Sequence, residues 1–262
     1  MGKTMTCKIC QQKMDDVFNA LVLGKYKVSY YHCPQCGFLQ TEDPYWLDEA
    51  YKDSINAADT GLLSRNIFFS KTTALLIYLL FDKDGVFLDY AGGFGVFTRL
   101  MRDIGFNFYW HDPMTQNLVA KGFEYNNFMP NFELLTTFES FEHFADPLIE
   151  IRKMLSISNN ILFSTFLLPS SVPAKDWWYY QFDHGQHISF YSKESLQYIA
   201  NENGLHFYTH GFLHLFTKRK FPNPVIRWLF RFQKLGLHHY VRLRMKSKMV
   251  DDFLTMRKLK KP

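Results

Sequence analysis

Residues 86–95 have the sequence Val-Phe-Leu-Asp-Tyr-Ala-Gly-Gly-Phe-Gly, and this stretch decides the fold. The apolar run at 86–90 predicts a strand, and it leads directly into a glycine-rich turn. The next segment, 97–104, has helical spacing and ends at Gly105. A strand, a glycine turn and a helix in this order allow backbone N–H groups to approach a bound ligand closely. We therefore expect a nucleotide-type cofactor at this turn.

Strands and helices alternate on both sides of this turn. The pattern predicts helices at 67–80, 147–155 and 193–203, strands at 106–111, 132–138 and 161–166, and closing strands within 205–217. Such alternation predicts an α/β fold with a Rossmann-like, mostly parallel sheet that has helices on both faces.

An acidic residue at the end of the second strand narrows the class of cofactor. Asp112 lies where a carboxylate can accept both hydroxyls of a ribose. The dinucleotide fingerprint requires a third small residue after Gly93 and Gly95, but Thr98 occupies that position. A nicotinamide oxidoreductase is therefore a disfavoured alternative. The looser turn suits S-adenosylmethionine, which has no pyrophosphate.

All four cysteines of the chain lie in two Cys-x-x-Cys pairs, Cys7 with Cys10 and Cys33 with Cys36. Four thiolates in this arrangement bind zinc tetrahedrally and leave no open position, so we expect a structural zinc ion. Four reduced thiols, or one redox-active pair, are the alternatives. Gly37 follows the second pair, where the backbone often needs a positive φ. Clustered cysteines without an apolar leader favour a reducing cytoplasm.

Charge is unevenly distributed along the 262 residues. Residues 218–262 carry 14 Lys and Arg against 2 acidic residues, whereas the remainder carries 16 against 23. Basic and apolar residues alternate in this C-terminal extension, which suits an amphipathic helix on an anionic membrane surface. A helix packed on the body is the alternative. Nucleic-acid binding is disfavoured, because the cysteine module has no basic stripe.

Three motifs together resemble class I S-adenosylmethionine-dependent methyltransferases. Residues 88–95 resemble motif I, with Ala91 in place of its first glycine; 110–113 resemble the acidic tip of the second strand; and 138–144 resemble the fourth-strand motif. The resemblance covers about residues 85–215. It implies cofactor contacts from the following residues: Asp89, Ala91, Gly93 and Gly95 around the methionine part, Asp112 at the ribose, and Phe138 and Glu139 beside the cofactor.

The front half and a later segment resemble a narrower subgroup. Residues 33–40, 59–61, 65–66 and 185–192 are similar to bacterial methyltransferases with an N-terminal zinc module, akin to the C-methyltransferases of nucleotide-linked sugars. The resemblance implies a sugar or surface-polysaccharide precursor as acceptor, with C- and O-methylation both open. The residue pattern and the charge distribution divide the chain into three predicted parts: a zinc ribbon at 1–44, the cofactor-binding methyltransferase domain at 45–217, and the basic helical extension at 218–262.

Methyl transfer needs an aligned acceptor and often a base that removes one proton from it. Residues 176–187 follow the fifth strand and carry two histidines and two acids. His187 lies in the segment 185–192 that resembles the subgroup, and it matches the histidine of that segment. It is therefore our candidate for the general base. His184 and Asp183 are alternates.

His143, beside the fourth-strand acids, is a further candidate. His143 and His187 also have purely structural interpretations, such as orienting a neighbouring segment. At the level of the whole chain, the alternative is a non-catalytic zinc-ribbon binding or regulatory protein.

Overall fold

The computed structural model describes residues 5–52, 59–126, 128–129, 131–231 and 236–259. By their internal contacts these residues form two compact units. Unit 1 comprises residues 1–56, 138–156 and 162–220, and unit 2 comprises 57–137, 157–161 and 221–262.

Unit 1 begins with a small antiparallel sheet. Strands β1 (Asp15–Val22), β2 (Tyr26–His32) and β3 (Leu39–Thr41) follow one another along the chain. The short β8 (Ser189–Phe190) is the fourth strand, with Leu39 opposite Phe190. The cysteine module is therefore joined by backbone hydrogen bonds to a segment that follows it by 151 positions.

The core of unit 1 is rich in aromatic rings. Phe18 stacks on Tyr30 with ring centroids 4.7 Å apart, and Tyr180 stacks on Phe182 at 5.2 Å. Offset and edge contacts of this kind add to the stabilisation that burial alone provides. Much of the high aromatic content, including Tyr180 from the predicted catalytic loop, thus serves packing.

Unit 1 also contains helices and strands that follow this small sheet along the chain. They are α1 (Leu47–Ala50), α4 (Pro147–Ile157), α5 (Lys193–Glu202), β9 (His206–His210) and β10 (Leu213–Thr217). The last residue of α4 falls in unit 2. Helix α5 begins with a reciprocal cap, because Ser192 Oγ accepts from the Ser195 backbone N–H and Ser195 Oγ accepts in return.

Unit 2 contains residues 86–95, the strand and glycine turn from which the fold was predicted. Strand β4 (Val86–Tyr90) pairs in parallel with β5 (Asn107–His111) and with β6 (Leu134–Thr137). Helix α3 (Val96–Ile104) follows the glycine turn and ends at Gly105, as predicted. Helix α2 (Leu62–Leu80) packs against α3.

The larger sheet has the strand order β5-β4-β6-β7-β10-β9, where β7 is Asn160–Ser164. Parallel pairing around β4 and the antiparallel β9–β10 hairpin make the sheet mixed. The predicted Rossmann-like α/β class is confirmed. No described helix combines the length and apolar character that a bilayer crossing needs.

The C-terminal extension forms α6 (Asn223–Arg231), α7 (Leu237–Arg244) and α8 (Met249–Leu259) in unit 2. Its residues 232–235 and 260–262 lie outside the described part. Arg102 of α3 and Asp252 of α8 are both almost fully buried and pair at 2.6 and 2.8 Å. This buried ion pair therefore attaches the extension, through Asp252, to Arg102 of helix α3.

Candidate functional site

The glycine turn adopts a shape that few side chains permit. Ala91, Gly93 and Gly95 have φ values of 56°, 53° and 85°. A Cβ atom on Gly95 would lie 2.8 Å from Asn117 Oδ1, and one on Gly92 would lie 2.6 Å from the carboxylate of Asp89. The turn can therefore pack this closely against Asp89 and Asn117 only because glycine has no Cβ atom.

Asp112 is held in a fixed orientation at the end of β5. Its Oδ2 accepts from the Gly93 N–H at 2.9 Å, and its Oδ1 accepts from the N–H groups of Met114 and Thr115 at 2.8 and 2.9 Å. The two oxygens of a carboxylate offer about four acceptor positions. About one acceptor position, on Oδ2, thus remains for a donor from a ligand beside the glycine turn.

Asp89 is buried at the tip of β4 and accepts from Thr98 Oγ1 at 2.8 Å. Burial, and then the charge of Asp112, raise the pKa of Asp89 to about 7. Thr98 is the residue that departs from the dinucleotide fingerprint. Its hydroxyl group orients the carboxyl group of Asp89.

Phe138 and Glu139 directly follow β6. Glu139 has a φ of 53°, which is uncommon for a residue with a side chain. Its N–H donates to Ser164 Oγ at 2.8 Å, and that hydroxyl donates back to Glu139 Oε1 at 2.5 Å. Ser164 therefore holds the first glutamate of the fourth-strand motif in a strained conformation, which is common at functional sites.

The four cysteines form one buried cluster. Cys7 and Cys36 have Sγ atoms 3.6 Å apart, and those of Cys10 and Cys33 are 3.4 Å apart. Sulfurs bound tetrahedrally to one zinc ion at about 2.3 Å would be about 3.8 Å apart. None of the four forms a disulfide; burial raises the pKa of Cys10 to about 11, whereas the hydrogen bond with Cys36 lowers the pKa of Cys7 to about 5. The geometry fits a zinc ion, whose binding would displace the thiol protons.

A second group, of one buried and two half-buried side chains, lies in unit 1. Glu142, His143 and His187 each place one possible ligand atom within 4.8 Å of the others. His143 Nδ1 lies 3.1 Å from the carbonyl oxygen of Gln186, and His187 Nδ1 lies 2.7 Å from that of Tyr179. The structure thus brings two predicted catalytic residues together and adds Glu142, which sequence reasoning missed although it lies in the quoted fourth-strand motif.

Burial controls protonation in this group. It raises the pKa of Glu142 to about 8, with a further contribution from Glu139. It lowers the pKa of His143 to about 4 and that of His187 to about 3. Both imidazoles are therefore neutral at pH 7. Asp183 is exposed, and neither Asp183 nor His184 belongs to this group of three.

Three comparisons place the chain among known proteins. A family model described as a methyltransferase domain matches residues 65–210, more than half of the chain. No curated protein matches the sequence significantly. Similar solved structures share its fold class at low identity.

Among these structures is the magnesium protoporphyrin IX methyltransferase of Synechocystis PCC 6803 with bound S-adenosylmethionine (10% identity; 66% of this chain and 90% of that chain; TM-score 0.40). Others are a possible histamine N-methyltransferase of Thermotoga maritima (14%; 61% and 92%; 0.44) and human N-acetylserotonin methyltransferase (12%; 67% and 66%; 0.44). With the family match over the cofactor turn and the fourth-strand motif, the chain belongs to the methyltransferase-domain family, as a class I S-adenosylmethionine-dependent methyltransferase.

Proposed function

We propose that the enzyme methylates an oxygen or a carbon of a sugar or surface-polysaccharide precursor. The proposal of this acceptor class rests on one observation: the cysteine module at 1–44 and the segment 185–192 form part of the same sheet. Leu39 pairs with Phe190, and Ser192 Oγ donates to the Cys36 carbonyl at 2.7 Å. Both segments resemble the same sugar-modifying subgroup, and here they fold as one structure.

The residues of the chain divide the work of the transfer. S-adenosylmethionine, when bound, supplies an electrophilic methyl group on its sulfonium. Asp112 and the glycine turn would hold its ribose and methionine parts, with Glu139 as a further contact. Positioning of this kind provides much of the rate enhancement in displacement reactions.

His187 is our proposed general base. A carbonyl oxygen can only accept, so the contact with Tyr179 places the ring hydrogen on Nδ1. Nε2 then carries a lone pair that can take a proton from the acceptor. The low pKa keeps this atom unprotonated at neutral pH, but it also makes the free imidazole a weak base, so proton removal requires the pKa to rise when the acceptor binds. Asp183, His184 and His143 stay as alternates.

We further propose that the cysteine cluster holds structural zinc in a reducing, cytoplasmic setting. The zinc ribbon at 1–44, the methyltransferase domain at 45–217 and the extension at 218–262 are proposed as functional parts that follow the motifs. The compact units described above follow packing instead.

We also propose that the extension contacts an anionic membrane surface, whereas nucleic acid is not a proposed partner. Helix α8 exposes four apolar side chains at helical spacing, and basic residues flank them. The apolar residues are Met249, Val250, Phe253 and Leu254. Such a face suits interfacial binding.

The test of the proposed function combines binding with turnover. We expect S-adenosylhomocysteine to bind the zinc-loaded protein with micromolar affinity in isothermal titration. Asp112→Ala should weaken this binding at least tenfold, whereas Asp103→Ala, a partly exposed acid on α3, should not. A panel of nucleotide-linked sugars is then assayed for methyl transfer.

His187→Ala should lower kcat by roughly 10²–10⁴, the usual contribution of a general base. Its affinity for S-adenosylhomocysteine should stay at the wild-type value. Unchanged turnover would refute the base assignment, and a cofactor that binds without transfer to any sugar nucleotide would refute the acceptor class.

A further inference from the structure

Glu142, His143 and His187 have the composition of a metal site that is separate from the cysteines. Glu142 and His143 lie in the single helical turn Phe141–His143, and His187 lies in the aromatic loop before β8. One possible ligand atom from each lies within 4.8 Å of the other two. All three belong to unit 1, so this geometry is internal to one compact body.

The two imidazoles present the correct atom for a metal. Each Nδ1 faces a backbone carbonyl, of Gln186 for His143 and of Tyr179 for His187. Each Nδ1 must therefore carry the hydrogen, and each Nε2 keeps its lone pair. Histidines that bind metals are held in this way, since a hydrogen bond from the other nitrogen fixes the tautomer and the ring plane.

The two imidazole rings also lie in contact. Their centroids are 5.0 Å apart and their planes are nearly perpendicular, at 87°. One nitrogen of each ring is therefore near enough to the other to share a single ion.

The glutamate supplies the second, independent observation. Glu142 is only 1% exposed, and within the described residues its Oε2 makes no hydrogen bond. A buried polar atom without a partner costs about 1–3 kcal/mol. Such atoms are rare in folded proteins and need an explanation, of which a bound ion is one. A cation beside Oε2 would satisfy it.

We infer that Glu142, His143 and His187 bind one divalent transition-metal ion of the zinc type, at a site distinct from the four cysteines. Two neutral imidazoles and one carboxylate suit zinc at about 2.0–2.2 Å, and three protein ligands leave a position open for water or for an acceptor oxygen. Hard cations are disfavoured, because they prefer oxygen ligands.

Occupancy of this site has a consequence for the proposed function. The ion would use the same Nε2 lone pair that we assign to the base. Metal binding and proton abstraction by His187 therefore exclude each other. This consequence rests on the proposed function, whereas the metal site itself does not.

The experiment adds Co²⁺ to the full-length protein loaded with one equivalent of zinc, which the four-cysteine cluster takes up, and records its visible spectrum. We expect one further equivalent of Co²⁺ to bind, with weak visible bands and without the intense near-ultraviolet band of sulfur–cobalt bonds. Sulfur-to-cobalt absorption would mean that the ion entered the cysteine cluster, and it would overturn the assignment. No uptake by the wild type would overturn it as well.

Variants locate the site. Glu142→Gln should weaken Co²⁺ binding at least tenfold, and His143→Gln provides a second ligand variant should the first fail to fold. His206→Gln removes an exposed histidine of β9 and should bind Co²⁺ as the wild type does. Wild-type affinity in both ligand variants, or an equal loss in His206→Gln, would refute the inference. Titration with S-adenosylhomocysteine reports folding and tests the cofactor site separately.

Discussion

Ala91 is a residue whose backbone conformation conflicts with its side chain. Its φ of 56° lies in the left-handed region, where a Cβ atom costs about 1–2 kcal/mol. Glycine avoids that cost but loses about 0.5–1 kcal/mol more in conformational entropy. Ala91→Gly should therefore raise the free energy of unfolding by about 0.5–1 kcal/mol, measured by urea titration.

The matched control for this change is Ala200→Gly, within helix α5. There the same substitution should lower the free energy of unfolding by about 1 kcal/mol, because glycine is a poor helix former. Equal destabilisation in both variants would contradict the strain at Ala91.

Asp89 should make the stability of the cofactor-free protein depend on pH. Its folded pKa of about 7 exceeds the value of about 3.9 expected when unfolded. The folded state therefore binds the proton more tightly, and its contribution is complete below pH 4 and lost as the pH rises through 7. Asp89→Asn removes this loss.

The measurement is the free energy of unfolding from pH 4 to 8 for both proteins. Wild type should lose stability relative to Asp89→Asn as the pH rises, with the difference levelling off above pH 7. Parallel curves would show that Asp89 is ionised throughout. Comparing the two proteins cancels the opposite contribution of the buried histidines, whose lowered pKa values weaken the fold as the pH falls.

At the scale of elements, the contact of α8 with α3 predicts that substitutions of two adjacent acids, Asp251 and Asp252, differ greatly in their effect on stability. Asp252→Ala leaves the Arg102 guanidinium buried without its carboxylate, which typically costs 3–5 kcal/mol. Asp251 is exposed and pairs with Lys246 at 3.3 Å, so Asp251→Ala should cost less than about 1 kcal/mol. Thermal unfolding of the two variants measures the difference. Similar melting temperatures would mean that the Arg102 pair does not hold α8.

Most elements could be predicted because their signals are local. The glycine turn, the proline at the start of α4 and Gly105 at the end of α3 each act within a few residues. Predicted strand ends differ from the observed ones by about two residues, since apolar runs continue past the last paired residue. Helix α2 begins earlier than predicted, at Leu62 instead of Ile67.

The features that sequence could not reveal depend on distant partners. Pairing of β8 with β3 involves two residues of a loop, too few to form a pattern. Thr98 gains its role only when α3 packs beside β4. Glu142 becomes a site residue because the aromatic loop brings His187 to it. In each case the contact joins residues of different elements, and neither the helical nor the strand repeat of the sequence predicts their distance along the chain.

At the scale of the whole molecule, the charged extension defines a testable surface. Val250→Asp with Phe253→Asp should abolish co-sedimentation with vesicles of anionic lipid, because both side chains are exposed on α8. Exposed Leu63→Asp, on α2, is the control. Deleting the extension would be a poor test, since its Leu229 and Val241 are buried and their removal would uncover the face of α2 against which α6 and α7 pack. Equal sedimentation of wild type and double variant would exclude membrane contact by this face.

The pairing of β3 with β8 also sets an order of events during synthesis. The cysteines are translated early and can bind zinc at once, but β3 stays an open sheet edge until residues 189–190 emerge. Open edges pair readily with other chains. Contacts so far apart in sequence also form slowly. A ribosome that stalls between the two strands would hold a module whose free edge can pair with other chains. If the cysteines bind zinc as proposed, metal binding and closure of this edge would be two separate steps of maturation.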